Sequence, residues 1–200
     1  MKEVNILFEI LRLEICGMGS GELLKETVKA EDLTELWTLA KKHDLAPIVG
    51  HCLGKLGVLS DDDLGREMKQ VPMMAVYRYM QQERALKSAC QALEAAEVDH
   101  IPLKGAVIRK YYPLPWMRTG CDIDILVKPE NLDAAIDALV TKCSYKLQAK
   151  NSHDVSLDSP GGTHIELHYD LIEDYVHGKD TVLERFWSSA TPAEGKPIAF

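Results

Sequence analysis

The sequence predicts an α+β fold, with a helical N-terminal region followed by a region that carries the strands. Three observations predict it. Apolar residues recur at helical spacing through the N-terminal half. Two later segments, Asp122-Ile123-Asp124-Ile125-Leu126-Val127 and His164-Ile165-Glu166-Leu167-His168-Tyr169, alternate polar and apolar residues as half-buried strands do. Between them, residues 129–139 return to helical spacing through Leu132, Ala135, Ile136 and Leu139.

Each element has its own signal. Leu7, Ile10, Leu11 and Ile15 form a first apolar stripe, broken by Gly17, Gly19 and Gly21. Leu33, Leu36, Trp37 and Ala40 form a second, ending near His43-Asp44. Ile48, Val49, Cys52, Leu53 and Leu56 form a third, closed by Gly57. Ser60 with Asp61, Asp62 and Asp63 caps the next helical region, which Pro72 is expected to interrupt or restart. The longest helix is then predicted over 73–96, and Met68, Met73, Met74 and Met80 are expected in the core rather than in a binding groove. Residues 98–103 lead into the sheet, residues 106–112 could form a short helix, and Tyr111, Tyr112 and Trp116 are expected to pack under the Pro113-Leu114-Pro115 loop. Asn131 or Asp133 could support the N-terminus of the helix at 129–139. Gly161-Gly162 signals a hairpin turn that would pair residues 154–157 with the second strand. These readings divide the chain into a helical domain at 1–97, an α/β domain at 98–190 and a breaker-rich tail at 191–200.

Composition bounds the function. With 46% hydrophobic residues in 200, the chain can bury a sizeable core. No apolar run approaches the roughly 18 residues of a membrane span. Lys2, Glu3, Glu9, Arg12 and Glu14 interleave the first apolar stripe, which makes it an amphipathic helix rather than a signal peptide. Five widely spaced cysteines without a Cys-x-x-Cys pair read as reduced, mostly buried thiols of a cytoplasmic protein. A net charge of −8 weighs against long nucleic acid as a partner, although Lys104, Arg109, Lys110 and Arg118 make a local basic cluster suited to a small nucleotide.

The strand pleat puts Asp122 and Asp124 on one face, where two carboxylates repel unless a cation lies between them. A divalent metal bound through hard oxygens answers that need. His164, Glu166 and His168 share one face of the second strand, so adjacent strands with aligned polar faces would add Glu166 as a third acid. Upstream, Lys104 supplies a mobile charge for a polyphosphate, Gly105 allows close approach of a phosphate, and Arg118 offers a planar fork for bidentate contact. Arg118 could equally neutralise the carboxylates as a structural ion pair. His164 and His168 with an Asp ligand, joined by His153, raise a rival zinc reading, but no complete zinc spacing supports it. His153 and His168 are better read as groups that orient a carboxylate or contact substrate.

Leu103-Lys104-Gly105-Ala106, Tyr111-Tyr112-Pro113, Arg118, the 122–127 strand, Tyr145, His153 and Ile165-Glu166-Leu167-His168 together resemble the uncharacterised nucleotidyltransferase family of the DNA polymerase β-like superfamily. The resemblance implies a mixed β-sheet core flanked by helices and a carboxylate triad that binds Mg2+, with Mn2+ as a substitute. It assigns Asp122, Asp124 and Glu166 as catalytic metal ligands, and places Lys104-Gly105-Ala106 at the superfamily's glycine-serine phosphate-contacting turn. Ala106 departs from that pattern because it has no hydroxyl. Members usually continue past the third acid, so a chain ending at Phe200 is expected to be a fragment or a short form. The expected activity is metal-dependent transfer of a nucleoside monophosphate from a nucleoside triphosphate to an acceptor hydroxyl, on a small molecule or a partner protein. The alternative, favoured by Ala106, is an inactive nucleotide- or metabolite-binding regulatory module of the same fold.

Overall fold

The computed structural model describes residues 2–171 and 179–190, so the predicted tail at 191–200 lies outside the described residues. The chain divides into two compact units, Met1–Tyr79 with Arg109–Thr119, and Met80–Ile108 with Gly120–Phe200. No helix among the described residues is long and apolar enough to cross a membrane.

The first unit is helical. Helices α1 (Lys2–Cys16), α2 (Gly21–Thr27), α3 (Leu33–Lys42) and α4 (Ala46–Leu56) follow the apolar stripes. Gly17 adopts a left-handed φ of 63° after α1, and the Ser20 hydroxyl accepts from the Leu23 amide to cap α2. Ile10, Leu36, Trp37, Val49, Leu53 and Met68 form the centre of the core, and the Trp37 indole N–H donates to Glu67 Oε1 at 2.9 Å.

Helix α5 corrects the prediction. It runs without interruption over Asp63–Ala95, with Pro72 inside it. A proline removes one helical hydrogen bond and crowds the carbonyl four residues back, here that of Met68. Close helix packing compensates: Gly50 of α4 sits so near this turn that a Cβ would lie 2.3 Å from the Met68 carbonyl oxygen and 3.1 Å from Pro72 Cγ. The predicted methionine core is also corrected. Met68 is fully buried, but Met73, Met74 and Met80 are 64%, 45% and 61% exposed, and of the cysteines expected to be mostly buried only Cys52 is, with Cys16 and Cys121 exposed. At about 100° per residue, Met73 and Met80 fall roughly 140° and 120° around the helix from Met68, so burying one exposes the others. Likewise Tyr112 and Trp116 pack against the first core, with Trp116 edge-on to His51 at 5.1 Å, whereas Tyr111 is 84% exposed.

The second unit holds a five-stranded sheet in the order β1-β2-β5-β4-β3, formed by β1 (His100–Pro102), β2 (Asp122–Val127), β3 (Lys146–Lys150), β4 (Asp154–Asp158) and β5 (His164–His168). Strands β2 and β5 pair in parallel and the remaining neighbours are antiparallel, so the sheet is mixed. Helix α7 (Leu132–Cys143) follows β2 in the chain, and the Gly161-Gly162 hairpin joins β4 to β5. Ile123, Ile125, Val155, Leu157, Ile165 and Leu167 pack on one face with Ala89 and Leu93 of α5 and Ala135 and Leu139 of α7. The fold is α+β, as predicted, and this apolar cluster packs on one face of the sheet. Alternation therefore leaves Asp122, Asp124, Glu166 and His168 together on the other.

Candidate active site

Parallel pairing of β2 with β5 fixes the relation between the predicted acids. Asp124 lies opposite Glu166, and Asp122 opposite His164, so the polar faces of the two strands run side by side. Antiparallel β4 adds the next row, with Asp154 opposite His168 and Ser156 opposite Glu166.

Asp124 is the centre of this face and is only 3% exposed. Its Oδ1 accepts from Lys104 Nζ at 2.5 Å and lies 2.8 Å from His168 Nε2. Burial, the largest single influence on this carboxyl, pushes its pKa up; hydrogen bonds from His168 and Lys104 and their charge outweigh it, and the pKa is held below the ordinary aspartate value. An ionised carboxylate only accepts, so the His168 proton that faces it is on Nε2. For Lys104, burial is again the largest influence and lowers the pKa, but the hydrogen bond to Asp124 and the charges of Asp124, Glu166 and Asp122 raise it overall.

Local structure delivers Lys104 to that carboxylate. The Leu103 amide donates to the Asp124 carbonyl at 2.9 Å, which extends the β1–β2 pairing to the residue before the lysine. Lys104 then turns the chain with a left-handed φ of 44°, uncommon for a residue with a side chain. The single helical turn α6 (Gly105–Ile108) follows, with the Ala106 amide donating to the Leu103 carbonyl and the Val107 amide to that of Lys104. Those two amides are thus engaged within the turn, and the Ala106 side chain is buried.

Around Asp124, Glu166 Oε2 lies 3.4 Å from His168 Nε2, and Glu166 Oε1 lies 3.8 Å from His164 Nε2. Asp124, Glu166 and His168 each offer a ligand atom within 4.8 Å of the others; Asp122 shares their face but stands outside this group. Arg118 belongs to the first unit, where its guanidinium donates to the Thr119 carbonyl.

His153 Nε2 lies 2.9 Å from Asp154 Oδ2, and its ring stacks on that of His168 at 6.0 Å. These three residues make a second group with ligand atoms within 4.8 Å. Sequence reasoning missed Asp154. The signal was present: an antiparallel hairpin turned at Gly161-Gly162 carries the β4 polar face onto that of β5, and its register sets Asp154 beside His168.

Comparison with known proteins adds three findings. No curated protein matches this sequence. Among solved structures, the antibiotic-resistance factor ANT(2'')-Ia matches at 14% identity with a TM-score of 0.40, over 48% of this chain and 51% of that one, so the matched part spans about half of that protein's length. The model of the uncharacterised nucleotidyltransferase family matches residues 29–199, which include Lys104, both strand aspartates, Glu166 and His168. Matched over most of its length, the chain belongs to the uncharacterised nucleotidyltransferase family.

Proposed function

We propose that this chain transfers a nucleoside monophosphate from a nucleoside triphosphate to an acceptor hydroxyl in a magnesium-dependent reaction. Membership of the nucleotidyltransferase family supports the general reaction. The observation that carries the site assignment is the buried Asp124 carboxylate, flanked by Glu166 on the parallel neighbour strand and held by Lys104 at 2.5 Å. Asp124, Glu166 and His168 already converge, and the carboxylate oxygens of Asp122, Asp124 and Glu166 are the hard donors that Mg2+ or Mn2+ prefers. When bound there, the ion would neutralise triphosphate charge and lower the pKa of the attacking hydroxyl.

The chain's own groups account for the remaining chemistry. The acceptor oxygen bonds to the α-phosphorus as the bond to the β-phosphate breaks and pyrophosphate departs. Glu166, half-buried beside His164 and His168, takes the hydroxyl proton. Lys104 stabilises the negative charge that grows on the leaving pyrophosphate, with the Gly105 backbone beside it. His168 keeps the Asp124 carboxylate oriented. The acceptor is a hydroxyl-bearing small molecule or a protein side chain, and the reduced cysteines suit a cytoplasmic setting.

Thermal unfolding tests this reading, with Mg2+ or Mn2+ and each nucleoside triphosphate, for the native chain and Asp124→Asn. A ligand at about 100 times its dissociation constant adds roughly 2.7 kcal/mol, which raises Tm by about 5–10 °C for a chain of this size. The native chain is expected to show a metal-dependent rise with at least one triphosphate, followed by pyrophosphate release once an acceptor is supplied, and Asp124→Asn to show neither. A triphosphate shift without turnover on any acceptor would favour the binding-module alternative. An equal shift in Asp124→Asn would remove Asp124 from the site.

A further inference from the structure

The polar face of the sheet holds a second convergence of ligating side chains, beside the Asp124 group and sharing His168 with it. Asp154, the first residue of β4, is only 5% exposed. Its Oδ1 accepts from Asn151 Nδ2 at 2.8 Å and its Oδ2 lies 2.9 Å from His153 Nε2. Among the described residues no lysine or arginine ion-pairs with it, whereas buried Asp124 has Lys104. A desolvated carboxylate without a fixed cation is costly, and the groups around Asp154 that could offset its charge are two imidazoles.

Those imidazoles suit a metal. His168 is 6% exposed, and its Nε2 faces Asp124 at 2.8 Å, which leaves Nδ1 as the other ring nitrogen. A histidine that ligates metal through one nitrogen and donates the other N–H to a carboxylate is the usual arrangement at such sites. The loop that carries His153 is held in place: the Tyr169 amide donates to the His153 carbonyl at 3.0 Å, the Asn151 amide to the Asp154 carbonyl at 2.8 Å, and the Tyr169 hydroxyl to the Asn151 carbonyl at 2.6 Å. Ligands about 2.0–2.1 Å from a tetrahedral ion stand roughly 3.4 Å apart, so atoms already within 4.8 Å need only small side-chain rotations.

We propose that His153, Asp154 and His168 form a second cation site, selective for a divalent transition ion of the zinc class. Two imidazoles and one carboxylate match that class, whereas Mg2+ prefers an all-oxygen set. The fourth position of a tetrahedral ion would be filled by water. The ion offsets the Asp154 charge and fixes the His168 ring with its Nε2–H on Asp124, so occupancy of this site positions a residue of the neighbouring one. The site goes beyond nucleotidyl transfer and does not depend on turnover.

The test is equilibrium titration of the full, chelator-stripped chain with Co2+, read by its visible absorption, and with Zn2+ in competition. Native protein, His153→Ala, Asp154→Asn, Asp122→Asn and Glu166→Gln are compared. The native chain, Asp122→Asn and Glu166→Gln are expected to share one tight Co2+ equivalent, which His153→Ala and Asp154→Asn bind at least about tenfold more weakly. His153 is partly exposed and stands outside both hydrophobic clusters, so far-UV circular dichroism of His153→Ala separates lost binding from lost folding. If the native chain binds neither ion, the proposal is wrong. It is equally wrong if binding survives His153→Ala and disappears in Glu166→Gln, because the ion would then lie in the Asp124 group. Failure here leaves the magnesium–triphosphate shift untouched, and failure of that shift leaves Co2+ binding untouched.

Discussion

Replacing Lys104 with methionine separates its observed contact, counter-ion to Asp124, from its proposed role as a ligand for phosphate. Nζ stands 2.5 Å from Asp124 Oδ1, where at an effective dielectric near 20 two unit charges attract by about 7 kcal/mol. The net contribution is far smaller. The lysine side chain is 59% exposed, so solvent screening and its own desolvation reduce the pair to that of a charged hydrogen bond, about 1–2 kcal/mol here. A cation that binds Asp124 has to displace this ammonium. Without nucleotide, Lys104→Met is therefore expected to bind Mn2+ about 5–30-fold more tightly than the native chain, by calorimetry or by loss of the free-ion electron paramagnetic resonance signal. Triphosphate binding should change in the opposite direction, because the same charge is missing from the phosphate side. Methionine leaves the positive-φ demand at this position unchanged, so released backbone strain cannot mimic the effect. Unchanged or weaker Mn2+ affinity in a folded variant would refute the competition between Lys104 and a metal for Asp124.

Two further predictions concern the helical unit. Gly50→Ala places a Cβ 2.3 Å from the Met68 carbonyl oxygen, and the backbone there must yield by roughly 0.7 Å. Overpacking of about 2–3 kcal/mol outweighs the gain of about 1 kcal/mol in helix propensity, so Tm should fall by about 2–8 °C; a thermal melt showing no fall or a rise would refute the close approach of α4 to α5. The second prediction uses pH. The Lys2 ammonium lies 2.7 Å from Asp32, and its hydrogen bond, followed by that of the Lys29 amide, holds the Asp32 carboxyl below the ordinary aspartate value. The same hydrogen bond raises the pKa of Lys2. Stability from Asp32 is then present above its unfolded pKa of about 3.9 and lost as pH falls through its lower folded value; that from Lys2 is present below about 10.4 and lost as pH rises through its higher folded value. Lys2→Met should accordingly melt below the native chain between about pH 5 and 9, with the gap narrowing as pH falls below about 3.9 and closing beneath the folded value of Asp32; a gap that persists in acid would point to lost packing instead.

Much of the fold is local and therefore legible in the residues. Ile6, Leu7 and Ile10 of α1, and Leu33, Leu36, Trp37 and Ala40 of α3, recur at the helical period because one side of each helix faces the core, and Ile123 and Ile125 alternate with aspartates because a strand changes face at every residue. Gly57 closes α4 with a left-handed φ of 69°, as a helix-ending glycine does. Edge strand β3 went unread although Lys146-Leu147-Gln148-Ala149-Lys150 alternates, because its apolar face holds only Leu147 and Ala149 and all five residues are exposed. Pro72 misleads because local chemistry favours a break, while the fit of Gly50 against Met68 and Pro72 is a contact between helices that no window on the sequence contains.

The site divides along the same line. Which side chains share a strand face is legible in the residues, so Asp122 with Asp124, and Glu166 with His168, followed from the pleat alone. Packing of the whole chain settles the rest: β2 and β5 are parallel neighbours in the register that sets Asp124 against Glu166, His168 turns its Nε2 to Asp124, and Asp154 stands beside His168 on β4. Pairing between strands separated by 36 or more residues depends on how the helices and hairpins between them close, and closure is a property of the packed chain rather than of any local pattern.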